Sequence, residues 1–236
     1  MSVCEITLSA NAGIALQFGS LRMWSDALHT EKVPGFSTVS PALAQAIRRD
    51  PHFAAPDLIF YTHCHPDHYS RALTEEAAAR YPMAELVLPR QEFRHQLLLT
   101  GREMGLNLCG VSLRFRRLVH EGEQYAAVPH YGCLLERRGF RILLPGDCAI
   151  ANPELADFAG ETPVDLLAVD FPWVTLRRGR EFIEEQLRPR RLLIYHLPFR
   201  EDNDWGYREL TAKAARQMSI PDIRLLMDPL HTEVYE

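Results

Sequence analysis

The sequence predicts an α/β fold in which two β-sheets pack against each other and carry helices on their outer faces. Short apolar strand segments alternate with helix segments along the 236 residues, and both halves of the chain contain several of each. No internal repeat, low-complexity tract or long linker interrupts this pattern. We therefore expect a single domain over residues 1–236, built from two halves at about 1–118 and 119–236.

The first half is predicted to begin with three strands, which helices and further strands then follow. The strand segments are EITLSA, GIALQFG, LRMWSDAL, DLIFYT and AELVLP, with a turn at residues 11–13 between the first two. SPALAQAIRRD predicts a helix because Ser40 can cap it, a proline occupies its first turn and arginines stand near its end. YSRALTEEAAARYP and QEFRHQLLLTGR are also predicted to be helices, and the former ends at Pro82.

The second half repeats this organisation. VSLRFRRLV predicts a strand, and YGCLLERRGFRILLPGD predicts a hairpin that turns at residues 137–139. NPELADFAG is expected to form a short capped helix. DLLAVDF and RLLIYH predict buried strands with the helix GREFIEEQLRP between them, and GYRELTAKAARQM predicts an amphipathic helix. IRLLMDP and TEVYE are expected to be the final strands.

Composition indicates a cytoplasmic globular protein. The chain is 47% hydrophobic and 24% charged, and its net charge of −5 argues against a uniformly cationic nucleic-acid binder. It has no apolar run of the ~20 residues needed to cross a bilayer, and its first residues lack the pattern of a secretory signal. The five cysteines are scattered without a CxxC motif, which is typical of reduced thiols.

The segment Thr62–His68, THCHPDH, directly follows the apolar strand DLIFYT and holds three histidines and an aspartate. Because side chains two apart on an extended segment point the same way, His63 and His65 can reach one metal ion together. Asp67 and His68 follow where the chain turns into the next helix and can face a neighbouring position. Imidazole and carboxylate are both zinc ligands, so the segment predicts half of a metal site; a plain polar loop is the alternative.

Three more ligand-type side chains stand at strand ends, where loops gather and sites form. They are His130 in AAVPHYG, Asp147 in ILLPGDC and His196 in LLIYHLP. Each one alone is more often a turn cap or an ordinary histidine, but together with THCHPDH they favour a shared metal site. The remaining histidines have no ligand-like sequence context. They are His29, His52, His95, His120 and His231.

The order His63-x-His65-x-Asp67-His68, then His130, Gly146-Asp147 and His196, resembles the ligand pattern of the metallo-β-lactamase fold superfamily of metallohydrolases. Asp26, in LRMWSDAL, is similar to an early aspartate of that family, which orients the metal-binding loop from behind. The resemblance extends from about Ile6 to the final strands. It implies a four-layer αβ/βα sandwich with the metal site at one edge of the two sheets.

The resemblance also implies two divalent metal ions. The first would be held by His63, His65 and His130, the second by Asp67, His68 and His196, and Asp147 would bridge them. Zinc is expected from the histidine-rich ligand set, while manganese and iron stay open. The implied activity is hydrolysis by a hydroxide that the two ions activate, with Asp67 and Asp147 as catalytic carboxylates. Oxygen-reducing di-iron members carry a glutamate where this chain has His65, which favours hydrolysis over redox chemistry.

The sequence leaves the substrate open. Our first expectation is a small molecule with an ester-type bond, namely a lactone, a thioester or a small phosphodiester. The alternatives are a phosphodiesterase or nuclease that acts on nucleic acid, and a non-catalytic metal-binding interaction module. The negative net charge disfavours nucleic acid. No membrane partner is expected, and a homodimer stays open because the C-terminal region is apolar.

Three further side chains are candidates for lining a substrate pocket. His29 begins the loop of residues 29–40, which could overhang the site. Tyr131 adjoins His130. Arg200 lies just past His196 and could bind an anionic group.

Overall fold

In a computed structural model that describes residues 4–236, strands form two mixed sheets of seven strands each. The first sheet has the order β14-β1-β2-β3-β4-β5-β6. Its strands are β1 Cys4–Leu8, β2 Ile14–Phe18, β3 Leu21–Ser25, β4 Leu58–Phe60, β5 Glu85–Leu88, β6 Leu97–Leu98 and β14 Thr232–Tyr235. Strands β14, β1, β2 and β3 pair antiparallel, whereas β3, β4, β5 and β6 pair parallel.

The second sheet follows chain order from β7 to β13. Its strands are β7 Glu103–Leu108, β8 Val111–Arg117, β9 Tyr131–Arg137, β10 Phe140–Leu144, β11 Leu166–Asp170, β12 Arg191–Tyr195 and β13 Asp222–Leu225. The pairs from β7 to β10 are antiparallel, and those from β10 to β13 are parallel.

Helices connect the strands of both sheets. They are α1 Pro41–Arg49, α2 Arg71–Arg80, α3 Pro153–Ala159, α4 Pro172–Thr175, α5 Arg177–Phe182 and α6 Tyr207–Ala215. Ser40 caps α1 and Ser70 caps α2, since each hydroxyl accepts a hydrogen bond from a backbone N–H three residues on. Helix α5 continues as a π-helical turn at Ile183–Leu187. Among the described residues, no helix is both long and apolar enough to cross a bilayer.

The alternation of buried side chains in the second sheet separates two apolar layers. On β11, Leu166 and Ala168 belong to the core shared with the first sheet, while Leu167 and Val169 belong to a second core with the helices α3 to α6. The first sheet packs α1 and α2 into the shared core through Ile47 and Ala77. The order of layers is therefore helix, sheet, sheet, helix, which confirms the predicted α/β sandwich.

Two local expectations differ from the structure. QEFRHQLLLTGR is not a helix: the Gln96 amide oxygen accepts hydrogen bonds from the N–H groups of Glu92 and Phe93, and its amide group donates to the Arg90 carbonyl. These side-chain bonds satisfy the backbone locally and compete with helix formation. The chain then pairs with β5 as β6. The change of sheet occurs between residues 98 and 103, earlier than the predicted boundary near residue 118.

The parallel strands bring the polar strand ends together. Asp26 follows β3, and the segment Thr62–His68 follows β4, its parallel neighbour. In the second sheet Asp147 follows β10, Asp170 ends β11 and His196 follows β12, and these three strands are also parallel neighbours. Because the carboxyl ends of parallel strands lie at the same edge of a sheet, these side chains gather along one edge of the sandwich.

Candidate metal centre

Asp26 fixes the start of the histidine-rich loop from the adjacent strand. Its Oδ1 accepts a hydrogen bond from the Thr62 N–H at 2.8 Å, and its Oδ2 accepts one from the Thr62 hydroxyl at 2.7 Å. Asp26 is buried and has a φ of 50°, a left-handed conformation that aspartate tolerates better than most residues. The loop then turns on itself, since the N–H groups of His68 and Tyr69 both donate to the His65 carbonyl.

The first group of ligand atoms consists of three histidine nitrogens. His63 Nε2 lies 3.0 Å from His65 Nδ1 and 3.2 Å from His120 Nε2. All three nitrogens lie within 4.8 Å of one another, and His63 is completely buried. A zinc ion accepts imidazole nitrogens at ~2.0–2.1 Å, so the chemistry of this donor set fits a divalent cation between the rings.

Hydrogen bonds to the opposite ring nitrogens determine which tautomer two of these histidines adopt. His63 Nδ1 donates to the Thr62 hydroxyl oxygen at 2.9 Å, while that hydroxyl donates to Asp26. His120 Nδ1 donates to the Glu121 carbonyl at 2.7 Å. Each ring therefore presents an unprotonated Nε2 to the group. Burial holds the pKa of His63 well below its ordinary value and also lowers the pKa of His65, so both are neutral at pH 7, the form that binds metal.

The second group combines carboxylates with histidines. Asp147 Oδ2 lies 3.1 Å from His68 Nε2, and Asp147 Oδ1 lies 3.5 Å from His196 Nδ1. Asp67 Oδ2 lies 3.7 Å from His196 Nε2. Asp147 and His68 also form a ligand-competent group with His63, so the two groups adjoin.

In the absence of metal, protonated His68 and His196 are the partners of the Asp147 carboxylate in the second group. Burial alone would lower the pKa of His68 and His196, but the Asp147 carboxylate raises both, that of His196 to about 9. Burial would raise the pKa of Asp147, yet His68 and His196 hold it well below its ordinary value. A cation placed here would replace these protons as the partner of the carboxylates, so the residues present fit a second divalent ion.

Asn11 positions His196 from the turn between β1 and β2. The His196 N–H donates to the Asn11 carbonyl at 3.1 Å, and both residues have left-handed φ values, 57° for His196 and 45° for Asn11. The Asn11 side chain is buried and pairs with Ser37, whose N–H donates to Asn11 Oδ1 at 2.9 Å. The turn that the sequence predicts at residues 11–13 therefore supports both a candidate ligand and the loop at residues 29–40.

The structure brings His120 into the first group, for which the sequence predicts His130, and His130 lies beside that group with its ring centroid 5.3 Å from that of His63. His130 is fully buried, its Nδ1 donates to the Leu118 carbonyl at 3.3 Å, and its Nε2 has no hydrogen-bond partner. It belongs to none of the ligand-competent groups among residues 4–236. His120 reaches the site because it pairs with Cys148 in an antiparallel bridge, next to Asp147. Its strand-end position after VSLRFRRLV was the available sequence signal, and it was missed.

Asp170 is the second residue that sequence reasoning missed. It is buried at the end of β11, it forms a ligand-competent group with Asp147 and His196, and its Oδ1 has no hydrogen-bond partner. Burial raises its pKa well above the ordinary value, and Asp147 adds to the effect. The aspartate at the end of DLLAVDF was the available signal, because Asp147 follows an apolar strand in the same way.

Of the three pocket candidates, none borders the cavity beside the two groups. His29 is buried with its Nε2 donating to the Ala10 carbonyl at 3.4 Å, and burial lowers its pKa to about 4. Tyr131 lies in the shared core, where its hydroxyl donates to the Gly101 carbonyl at 2.8 Å. Arg200 is exposed in a short helical turn. Val33 and Phe36, in the loop of residues 29–40, do border the cavity.

No protein-family model matches this sequence, and no curated protein matches it significantly. Solved structures do match. Igni18, a metallo hydrolase from Ignicoccus hospitalis, is 15% identical with a TM-score of 0.69 over 99% of this chain and 98% of that chain. YhfI, a metallo-beta-lactamase fold protein from Bacillus subtilis, is 15% identical with a TM-score of 0.66 over 99% of this chain and 100% of that chain.

A third match comes from a larger protein. CmlA, a diiron β-hydroxylase from Streptomyces venezuelae, is 12% identical with a TM-score of 0.61 over 99% of this chain and 54% of that chain. At identities this low, the structural similarity shows the shared architecture alone. This architecture agrees with the two seven-stranded sheets and their outer helices. The chain therefore has the metallo-β-lactamase fold.

Proposed function

We propose that this chain is a metal-dependent hydrolase with two divalent ions. The observation that carries the proposal is the pair of adjoining ligand groups at one sheet edge, one of three imidazoles and one of carboxylates paired with histidines. Igni18 is described as a metallo hydrolase, which supports the same activity on this fold. The CmlA likeness makes iron redox chemistry the rival, which the imidazole of His65 disfavours.

The first ion would be held by His63, His65 and His120, and the second by Asp67, His68, Asp147 and His196. Asp147 lies between the groups and is the candidate bridge. Asp170 adds a third carboxylate to the second group. The nitrogen-rich first group favours zinc, and the oxygen-richer second group also suits manganese or iron.

When bound, the ions would supply Lewis-acid polarisation of the substrate and a nucleophilic water at neutral pH. The residues of the chain would orient the metal ligands and the attacking water. Asp26 and Thr62 hold His63 in its binding tautomer, and Asn11 holds His196 in place. Asp67, which borders both the cavity and His196, would orient the attacking water and accept its proton. No serine or cysteine nucleophile is needed.

Metal analysis combined with an activity screen tests this proposal. Purified protein should contain about two divalent ions per chain and should hydrolyse at least one member of a set of model lactones, thioesters and phosphodiesters. His63→Ala and Asp147→Ala should each lower the metal content and abolish turnover while the far-UV circular dichroism stays unchanged. Full turnover in both variants would rule the proposal out.

A further inference from the structure

The cavity beside the two ligand groups has apolar walls. It has a volume of about 490 Å³. Phe36 stacks on the His196 ring with centroids 4.7 Å apart, and Tyr125 meets the His65 ring edge-on at 4.8 Å. Phe171 lies 6.3 Å from Phe36, ring centre to ring centre. Apolar side chains therefore border the candidate ligands of both ions, where a bound substrate would lie.

Phe36, which forms one wall of the cavity, is held in position by the hydrogen bonds of the adjacent residue Ser37. The Ser37 N–H donates to Asn11 Oδ1 at 2.9 Å, and the Ser37 hydroxyl accepts a hydrogen bond from the Phe199 N–H at 2.7 Å. Both contacts are buried. The same Asn11 receives the His196 N–H, so the aromatic wall and the candidate ligand share one anchor. The wall is preorganised, which lowers the entropic cost of packing a substrate against it.

The charges around the cavity do not suit an anionic substrate. Among the described residues that line the cavity, none is lysine or arginine, while Asp67, Asp147 and Asp170 carry carboxyl groups. The fourth acid, Glu121, is already engaged, with one oxygen 2.6 Å from Arg178 and the other accepting the Ile150 N–H. Outside metal sites, phosphate recognition in proteins relies on arginine, lysine or clustered backbone N–H donors. The lining offers neither of these two side chains, so an anionic group would have only the bound ions as its partners.

We infer, on the basis of the proposed hydrolase activity, that the substrate is an uncharged carboxylic ester or lactone with an apolar group that packs against Phe36 and Phe171. In the reaction, water adds to the carbonyl carbon and the carbon–oxygen bond to the alcohol breaks. One water proton goes to the leaving alkoxide, and the products are a carboxylic acid and an alcohol. No oxidant or further reactant is required.

Matched chromogenic substrates test the inference on the zinc-loaded full chain. p-Nitrophenyl butyrate and p-nitrophenyl hemisuccinate have acyl chains of the same length, but the hemisuccinate ends in a carboxylate. We expect kcat/KM for the butyrate to exceed that for the hemisuccinate and for bis(p-nitrophenyl) phosphate by tenfold or more. Hemisuccinate or phosphodiester turnover equal to or faster than butyrate turnover would overturn the inference but leave the hydrolase proposal standing. Absence of all turnover with two zinc ions bound would defeat both.

Two variants test whether the side chains that line the cavity select the substrate. Phe36→Ala should reduce the preference for p-nitrophenyl butyrate over the acetate about tenfold, since two methylenes lose their apolar contact. Val33→Arg, at a half-buried lining position, should raise the hemisuccinate-to-butyrate ratio by supplying the missing cation. Met83→Ala is the control, since this exposed side chain lies outside the cavity lining, and it should change neither ratio. Unchanged ratios in Phe36→Ala and Val33→Arg, with metal content and thermal midpoint retained, would show that these side chains do not select the substrate.

Discussion

Replacing Asp26 with asparagine should weaken metal binding although Asp26 belongs to neither ligand group. The carboxylate accepts hydrogen bonds from the Thr62 N–H and hydroxyl, and its Oδ2 lies 3.2 Å from His68 Nδ1. Asparagine tolerates the left-handed backbone and keeps one acceptor for the N–H, but its amide nitrogen cannot accept from the hydroxyl or from His68.

The size of the effect follows from those lost contacts. Hydrogen bonds and close contacts with charged groups contribute ~1.5–3 kcal/mol each, so the loss of the Thr62 hydroxyl bond and of the His68 contact predicts a decrease of about 3–6 kcal/mol in the free energy of unfolding. Partners that orient metal-binding histidines typically change metal affinity ~10–100-fold. We therefore expect Asp26→Asn to weaken zinc binding by a factor in that range, because His68 loses its contact with Asp26 and Thr62, which orients His63, loses the acceptor of its hydroxyl.

Competition with a chromophoric zinc chelator measures the affinity, and urea denaturation of the metal-free protein measures the stability. Asp57→Asn is a matched control, because Asp57 accepts the Arg22 N–H at 2.9 Å near the opposite ends of the same two strands. It should leave zinc affinity unchanged. Wild-type affinity in Asp26→Asn, or an equal loss in Asp57→Asn, would refute the reasoning.

Three more perturbations separate the roles of individual residues. His120→Ala should lower the zinc content by about one ion per chain, whereas His130→Ala should retain both ions, as elemental analysis would show; the reverse result would restore His130 as the ligand. In metal-free protein the pKa of His196 rises from 6.5 to about 9, so its stabilising contribution is complete below pH 6.5 and is lost as the pH rises through 9. The free energy of unfolding should fall over that interval by up to about 3 kcal/mol, and an equally steep fall in His196→Gln would contradict this. Asn11→Ala should cost about 2–4 kcal/mol of stability and lower turnover, because the Ser37 N–H loses its acceptor and alanine is strained at this φ; unchanged turnover would show that Asn11 does not position the site.

The candidate ligand positions that depend on local strand order are those that the sequence predicts. The spacing within Thr62–His68 sets the relative directions of His63 and His65, and a loop that follows an apolar strand places them at a sheet edge. The sequence could also indicate Asp147 and His196, because each follows an apolar strand, and in the structure these strands are parallel to their neighbours. The fold class followed from the same alternation of strands and helices.

The missed residues depend on long-range pairing. His120 and His130 flank one loop, and the bridge from His120 to Cys148 is what brings His120 next to Asp147. Asp170 reaches the second group only because β11 lies between β10 and β12. Phe36 borders the cavity through the contact of Ser37 with Asn11, which is 26 residues away in the chain. None of these contacts leaves a periodic signal in the sequence.

The central claim, that two adjoining groups of side chains each hold a divalent ion, is tested most directly by zinc-edge anomalous diffraction from crystals of zinc-loaded protein. We expect two peaks, one bounded by His63, His65 and His120 and the other by Asp67, His68 and His196, with Asp147 between them. One peak alone, a first peak bounded by His130 with His120 turned away, or no peak at this sheet edge would contradict it.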